Sequence, residues 1–461
     1  MYKRQLLGLL TPDRNKGIAD PDSRIPGGTV IPRREVLRRF PGIDDAGLTG
    51  AAVFHDGVML NPPRLVFEIV QTAVEAGAIA LNYLNVSSIE MDPGERCVTG
   101  VVAEDKVTGE TYSIRAKTVI NAAGPNAPWI PTTNTDRPLS LKLSRDLAIV
   151  VDRISDDPAA LAVQTKYRDP DAFLTRGNRH LFMVPWRGYT LIGVNSRVFD
   201  EPPDTLEVTD DEIQAFIDEV NEAHSGIKLS RQNVRAVNAG LLPFGDNEAD
   251  AKDLSFGKRS LIRDHGVADG TRGLVTAVSV RWTMGRATAE AAVNAVETTL
   301  RGRASPSPTT ALSVRGGNTP GKAALKQEIA AHPAFAGLPD AAVDTLATCF
   351  GSNWTRIAEL AELDPGMAEP VTDTATLRGQ VLFAARAESV MTLADIVLRR
   401  TDIGTGEQPS EATLRECATI AAAELDWSPS KVRDEIAAVS SLYPFYRAPL
   451  PPDPVRLLKQ A

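Results

Sequence analysis

The stretch Thr118-Val119-Ile120-Asn121-Ala122-Ala123-Gly124-Pro125 constrains this chain more than any other. Val119 and Ile120 read as a short buried strand, and the residues after it have almost no side-chain bulk. Such a strand exit lets a planar or phosphorylated ligand lie directly against the main chain. Open α/β sheets place nucleotides at strand ends of this kind. An ordinary strand exit has the same spacing, so the surrounding sequence has to decide between the two.

Composition narrows the choice. The chain has 461 residues, 43% hydrophobic and 24% charged, enough for two or three domains with sizeable cores. A net charge of -9 argues against nucleic acid, whose phosphates need a basic face, while leaving room for a local arginine that holds a small anion. Cys97, Cys349 and Cys417 are scattered and odd in number, and His55, His180, His224, His265 and His332 show no H-x-x-x-H pair. Neither a disulfide framework nor a metal is expected. No apolar run is long enough to span a membrane, and the start lacks a signal-peptide pattern, which makes the cytoplasm the default compartment.

Local patterns give an α/β order followed by a meander. Asn61 and Pro62 read as the N-cap and first residue of a helix whose apolar face is Leu65, Val66, Ile69, Val70 and Ala73, closing at Gly77. Ile79 to Tyr83 reads as a strand, as do Val98 to Ala103 and Thr111 to Arg115, the last two joined by a turn at 106–109. From Leu139 to Phe244 hairpins dominate, for example Leu181 to Pro185 against Thr190 to Val194. One helix interrupts them: Thr209 and Glu212 form a capping box ahead of Ile213, Phe216, Ile217 and Val220. Leu274 to Val280 then gives a strand and Thr288 to Leu300 a helix. A Pro/Ser/Gly connector follows, and the rest is helical, with caps at Thr392/Asp395 and Ser428/Pro429.

The run Val119 to Pro125 resembles a flavin-contacting segment of FAD-dependent glycerol-3-phosphate dehydrogenases, within the D-amino-acid-oxidase-like superfamily. The resemblance continues through Phe54-His55-Asp56-Gly57, Pro63-Arg64-Leu65, Val184-Pro185-Trp186, Ile262-Arg263-Asp264-His265, Arg281-Trp282-Thr283-Met284-Gly285-Arg286 and Leu393 to Thr401. It implies an α/β chain (α+β overall): an incomplete FAD-binding Rossmann-like domain, an antiparallel β-sheet substrate cap and a C-terminal helical domain. The expected divisions are 6–60 for the start of the cap, 61–136 for part of the FAD domain, 137–248 for the cap, 249–300 for the return to the FAD domain, 301–321 for a linker and 322–461 for the helical domain.

The resemblance implies FAD as cofactor and oxidation of a small, anionic hydroxy substrate by hydride transfer to flavin. Another polyol, hydroxy acid or amine is the alternative donor. Asn121, Ala122, Ala123, Gly124 and Pro125, together with Trp282, Thr283, Met284 and Gly285, are the expected cofactor-binding residues. Arg281 is suited to the negative charge that grows on the flavin edge. Arg263 is the candidate for an anionic substrate group, and His265 is a candidate base or a satisfied polar residue. A quinone acceptor and peripheral attachment at the inner face of the cell membrane are further implications, and the helical end suits self-association.

Three departures limit the parallel. The family's lysine before the aromatic residue and threonine is Arg281 here, its second phosphate-binding arginine falls at Leu242, and its histidine ahead of the cap strand falls at Ala148. No G-x-G-x-x-G occurs in the chain. Gly316-Gly317-Asn318-Thr319-Pro320-Gly321 is the nearest cluster, but no apolar strand precedes it and it reads as linker. The expectation is therefore a truncated start, with roughly 80–120 residues absent upstream, enough for a βαβ unit and its loops, and a chain that is inactive as it stands.

Overall fold

The computed structural model describes residues 15–18, 23–132, 139–166, 180–244, 260–443 and 445–446. Four sheets run through the described residues, with every strand but one before residue 280. A small hairpin pairs β1 (Thr29–Pro32) with β2 (Gly50–Val53). A meander joins β3 (Leu84–Asp92), β4 (Cys97–Asp105) and β5 (Thr111–Arg115). A three-stranded sheet runs in the order β12 (Leu261–Asp264), β13 (Leu274–Val278), β6 (Val119–Asn121), with β13 and β6 parallel and β12 antiparallel to β13. Ile89, Met91 and Val98 of the meander pack against Leu274, and the helix Gly285–Arg301 covers the sheet through Ala292 against Val275 and Ala277.

The fourth sheet is the expected cap. It comprises β7 (Leu143–Asp152), β8 (Leu161–Gln164), β9 (His180–Trp186), β10 (Tyr189–Phe199), β11 (Val234–Pro243) and β14 (Phe445–Tyr446), in the order β14-β11-β7-β10-β9-β8. Its pairs are antiparallel except that β14 runs parallel to β11. The helix Asp210–Ala223, closed by the expected Thr209/Glu212 capping box, buries Ile213, Phe216, Ile217 and Val220 on one face of the sheet. Arg145 reinforces that face by gripping Glu212 at 2.7 Å. The opposite face, which carries Ala148, Val184 and Asn238, looks toward the rest of the molecule.

The helical domain begins after the linker, with helices Lys322–Ala331, Asp340–Phe350, Trp354–Leu363, Arg378–Ala387, Glu411–Leu425 and Pro429–Ser440. Its glycine-rich entry is built for close backbone packing, since a Cβ on Gly316 would sit 2.6 Å from the Phe350 carbonyl oxygen. Asn61, Thr392 and Ser428 cap their helices as expected.

Three local expectations fail, the first being that Ile120, read as part of a buried strand, is 38% exposed on an edge strand. Ile79 to Tyr83 is not a strand: β3 begins at Leu84, and Tyr83 has φ +57°, which strand pairing cannot accommodate. Its hydroxyl instead donates to Asp395 Oδ2 at 2.9 Å, tying this corner to the helical domain. The helix Pro62–Glu75 is also inverted relative to its pattern. Arg64, Phe67 and Glu68 are buried, whereas Leu65, Val66, Ile69 and Val70 are 37–49% exposed. The charged side is inside because it meets matched partners there. Arg64 donates to both oxygens of Glu388 (2.6 and 2.7 Å) and to the Cys349 carbonyl oxygen (2.9 Å), pairs with Glu68, and stacks on Phe350 with its Cζ 4.3 Å from the ring centroid. Arg400 lies over the Phe67 ring at 4.1 Å, completing a seam between this helix and the helical domain.

Candidate active site

Because β6 and β13 are parallel neighbours, in the register Leu274 to Val119, Val275 to Ile120 and Thr276 to Asn121, their carboxyl ends open on the same side. The exits Asn121–Pro125 and Ser279–Gly285, 154 or more positions apart in sequence, are thereby brought side by side. Ala123 and Ala127 of the first pack with Val278 of the second.

The first exit is held by its own asparagine. Buried Asn121 donates through Nδ2 to the Ala127 carbonyl oxygen at 2.9 Å and accepts the Ala123 N–H at Oδ1, 3.2 Å. This fixes a turn in which Gly124 has φ +56° and nothing stands within 4 Å of where a Cβ would be. Ala122, Ala123, Gly124 and Pro125 thus form a shallow ledge of small residues, with Ala122 exposed on it. At the second exit, Arg281 precedes a single 3₁₀ turn, Trp282–Met284, that runs into the helix Gly285–Arg301. No side chain among the described residues caps that helix, which continues directly from the 3₁₀ turn, with the Gly285 N–H bonded to the Trp282 carbonyl oxygen. Trp282 (57% exposed), Met284 and Ile120 leave an apolar surface around the exits.

These residues fit one part of FAD and not another. A small-residue ledge, an apolar rim and an uncapped helix start suit a planar ring with an electron-rich edge. No glycine loop that would cradle a pyrophosphate is among them.

Arg263 and His265 are placed differently from the two exits. His265 is wholly buried, with Nδ1 2.9 Å from Asp269 Oδ2 and Nε2 2.9 Å from Thr276 Oγ1, so both ring nitrogens are engaged within the sheet. Arg263 pairs with the same Asp269 at 3.3 Å, and its buried Nε finds no partner among the described residues. The Asp269 carboxyl lies below its ordinary range: burial acts against this, and hydrogen bonds from Thr271 and His265 outweigh it.

A cleft of about 370 Å³ opens where the free face of the cap meets the helical domain. Its lining includes Met59, Pro62, Pro63, Val184, Trp186, Arg187, Leu191, Asn238 and Thr405. Val184-Pro185-Trp186 was recognisable in the sequence, whereas Arg187, Asn238 and Thr405 were not. The one local signal is the φ of +57° at Arg187, in a two-residue turn between β9 and β10 that carries glycine second. That turn docks on the helical domain: Arg187 donates to Thr405 Oγ1 and to the Leu60 carbonyl oxygen (2.6 Å), and Tyr189 donates to Glu407 at 2.8 Å.

Comparison with known proteins agrees with this layout. Residues 13–295 match the family model described as FAD dependent oxidoreductase, and residues 307–432 match that of the C-terminal domain of alpha-glycerophosphate oxidase. The chain is 28% identical over 418 residues to a glycerol-3-phosphate dehydrogenase of Synechocystis sp., covering 87% of this chain and 72% of that protein. It is 27% identical to the mitochondrial glycerol-3-phosphate dehydrogenase of Bos taurus, covering 88% of this chain but only 55% of the bovine one. The crystal structure of the glycerol-3-phosphate dehydrogenase from Bacillus halodurans complexed with FAD superposes with a TM-score of 0.70 at 25% identity, over 91% of this chain and 81% of that one. With the family model spanning well over half of its residues, from the first strands through the helix after β13, the chain belongs to the FAD dependent oxidoreductases.

Proposed function

We propose that this chain forms the ring side of the flavin site and the donor side of an oxidoreductase acting on a CH–OH group. The observation that carries this reading is the side-by-side placement of the β6 and β13 exits, with the helix Gly285–Arg301 starting directly after the second. The similarity to glycerol-3-phosphate dehydrogenases over about nine-tenths of the chain supports it.

FAD, when bound, supplies the acceptor for the two electrons and the hydrogen leaving the donor carbon. The chain's residues then have separable tasks. Asn121 holds the ledge of Ala122, Ala123, Gly124 and Pro125 in place, and Trp282, Thr283, Met284 and Gly285 form its opposite margin. Arg281, exposed at the helix start, is the cation that meets negative charge developing on the ring edge. Arg263 and His265 act through Asp269 to hold β12 on β13, and are positioning residues in this arrangement.

On the Pro62 helix, Leu65, Val66, Ile69 and Val70 leave an exposed apolar side. On the family resemblance, the electron acceptor is a quinone met at a membrane surface and the protein self-associates. No helix of the described residues is long and apolar enough to cross a membrane.

The test is anaerobic mixing of the flavin-loaded protein with a panel of small alcohols that includes glycerol 3-phosphate, followed through flavin absorbance near ~450 nm. Bleaching by at least one donor supports the reading. Bound flavin that no donor bleaches contradicts it.

A further inference from the structure

The cleft between the cap and the helical domain is lined in a way that chooses among donors. A phosphate ester brings a dianion, which needs unspent cations or several free N–H donors once it leaves water. The cleft has no unspent cation among its described residues. Its one charged lining residue, Arg187, is already committed: its guanidinium donates to Thr405 Oγ1 and to the carbonyl oxygens of Leu60 and Asp402, lies 3.8 Å from the Asp402 carboxylate and stacks over the Trp186 ring. A salt-bridged, stacked arginine with its carbonyl contacts made has little left for a ligand.

The helix that starts at this cleft is equally unsuited to an anion. Its first two residues are Pro62 and Pro63, which have no N–H, so the usual donors of a helix start are absent at the place facing the cleft. The next N–H, that of Arg64, is taken by the Asn61 side chain at 3.1 Å, and that of Leu65 by the Asn61 carbonyl oxygen. What these residues offer is an apolar surface, continued by Val184, Trp186 and Leu191 from the cap.

One polar side chain of the lining stands without a hydrogen-bond partner among the described residues. Asn238 sits on β11 opposite Ala148 of β7, on the face turned away from the Asp210 helix. Its amide can donate to and accept from one hydroxyl at once, and it carries no charge. Where the strand continues, Ser144 and Asp146 share that face, with Ser144 Oγ donating to Asp146 Oδ1 at 3.2 Å. Lys142, just before β7, already has an interaction of its own.

We propose that this cleft binds the body of an uncharged donor alcohol with an apolar chain, its hydroxyl read by Asn238, and that it discriminates against phosphate esters. The proposal rests on the flavin-dependent reading above and narrows its substrate class.

The test uses the full chain, with 1,2-hexanediol and glycerol 3-phosphate as probes, and measures binding by ligand-observed saturation-transfer NMR. Expected are at least tenfold tighter binding of the diol than of glycerol 3-phosphate, and at least a fivefold loss of diol binding in Asn238→Leu. Asn238→Ala serves the same purpose should the leucine variant fail to fold. Glycerol 3-phosphate binding as tightly as the diol overturns the proposal, and so does diol binding unchanged in the folded Asn238 variant. A parallel FAD titration of the same sample separates the two layers. Diol selectivity without FAD binding leaves the cleft assignment standing and sinks the flavin reading, whereas FAD binding with preference for the phosphate ester does the reverse.

Discussion

Replacing Arg64 by leucine removes the cation at the centre of the seam between the Pro62 helix and the helical domain. In the native chain its guanidinium satisfies Glu388, whose side chain is 0% exposed, together with Glu68 and the carbonyl oxygens of Cys349 and Arg400. Leucine would leave the buried Glu388 carboxylate without the cation that donates to both its oxygens, and breaking a buried pair in this way costs about 3–5 kcal/mol. The double variant Arg64→Leu/Glu388→Leu removes the stranded charge as well. It retains the loss of the two carbonyl contacts, at about 1 kcal/mol each, and of the Glu68 pair, although Glu68 keeps Arg315 at 3.3 Å, so it should be more stable than the single variant by about 1–3 kcal/mol. Urea unfolding followed by tryptophan fluorescence reports this directly, because Trp354 and Trp427 lie in the helical domain. A single variant that loses less than about 1 kcal/mol, or a double variant less stable than the single, would refute the idea that a desolvated ion pair locks the two parts together.

Three further outcomes follow from the same structure. Gly406→Ala should lower stability by about 1–3 kcal/mol, because a Cβ there overlaps the Tyr189 ring; an unchanged thermal midpoint would show that the cap turn is not seated on the helical domain. Burial pushes the Cys349 and Cys417 thiols up to about 12, so iodoacetamide at neutral pH should label Cys97 in the native chain and the other two only in urea, as peptide mass mapping would reveal. Tyr83 is pushed up to about 12, first by burial and then by the neighbouring Asp395 carboxylate, so the folded chain keeps its phenolic proton where the unfolded chain loses it. Its contribution to stability is complete below the ordinary tyrosine value and is lost as pH rises from there through about 12; Tyr83→Phe should flatten that decline in urea midpoints.

The parts of the fold that were legible in the sequence are those set by neighbours along the chain. Asn61-Pro62, Thr209 with Glu212, and Thr392 with Asp395 cap their own helices, and the alternation in β9 and β10 needs only the hairpin between them. The two strand exits were readable for the same reason. What could not be read depends on distant partners. Arg64 is buried because Glu388 lies 324 positions away, so a helix whose leucine and valine stripe promised the core turned its charged side inward. Tyr83 leaves the strand region to reach Asp395, 312 positions on. The cleft joins Pro62, Arg187, Asn238 and Thr405 from separate elements, with no shared motif to announce it.

The central claim, that the β6 and β13 exits hold the ring of FAD, is tested most directly by comparing riboflavin with FAD in fluorescence-quenching titrations of the chain and of Gly124→Val. On this account the ledge would lie against the ring, with no described glycine loop to hold the phosphates. The account therefore predicts that riboflavin binds within about tenfold of FAD and that the valine, filling the space beside Gly124 at φ +56°, weakens both together. Tight FAD binding with no measurable riboflavin binding, or flavin binding indifferent to the valine, would contradict it.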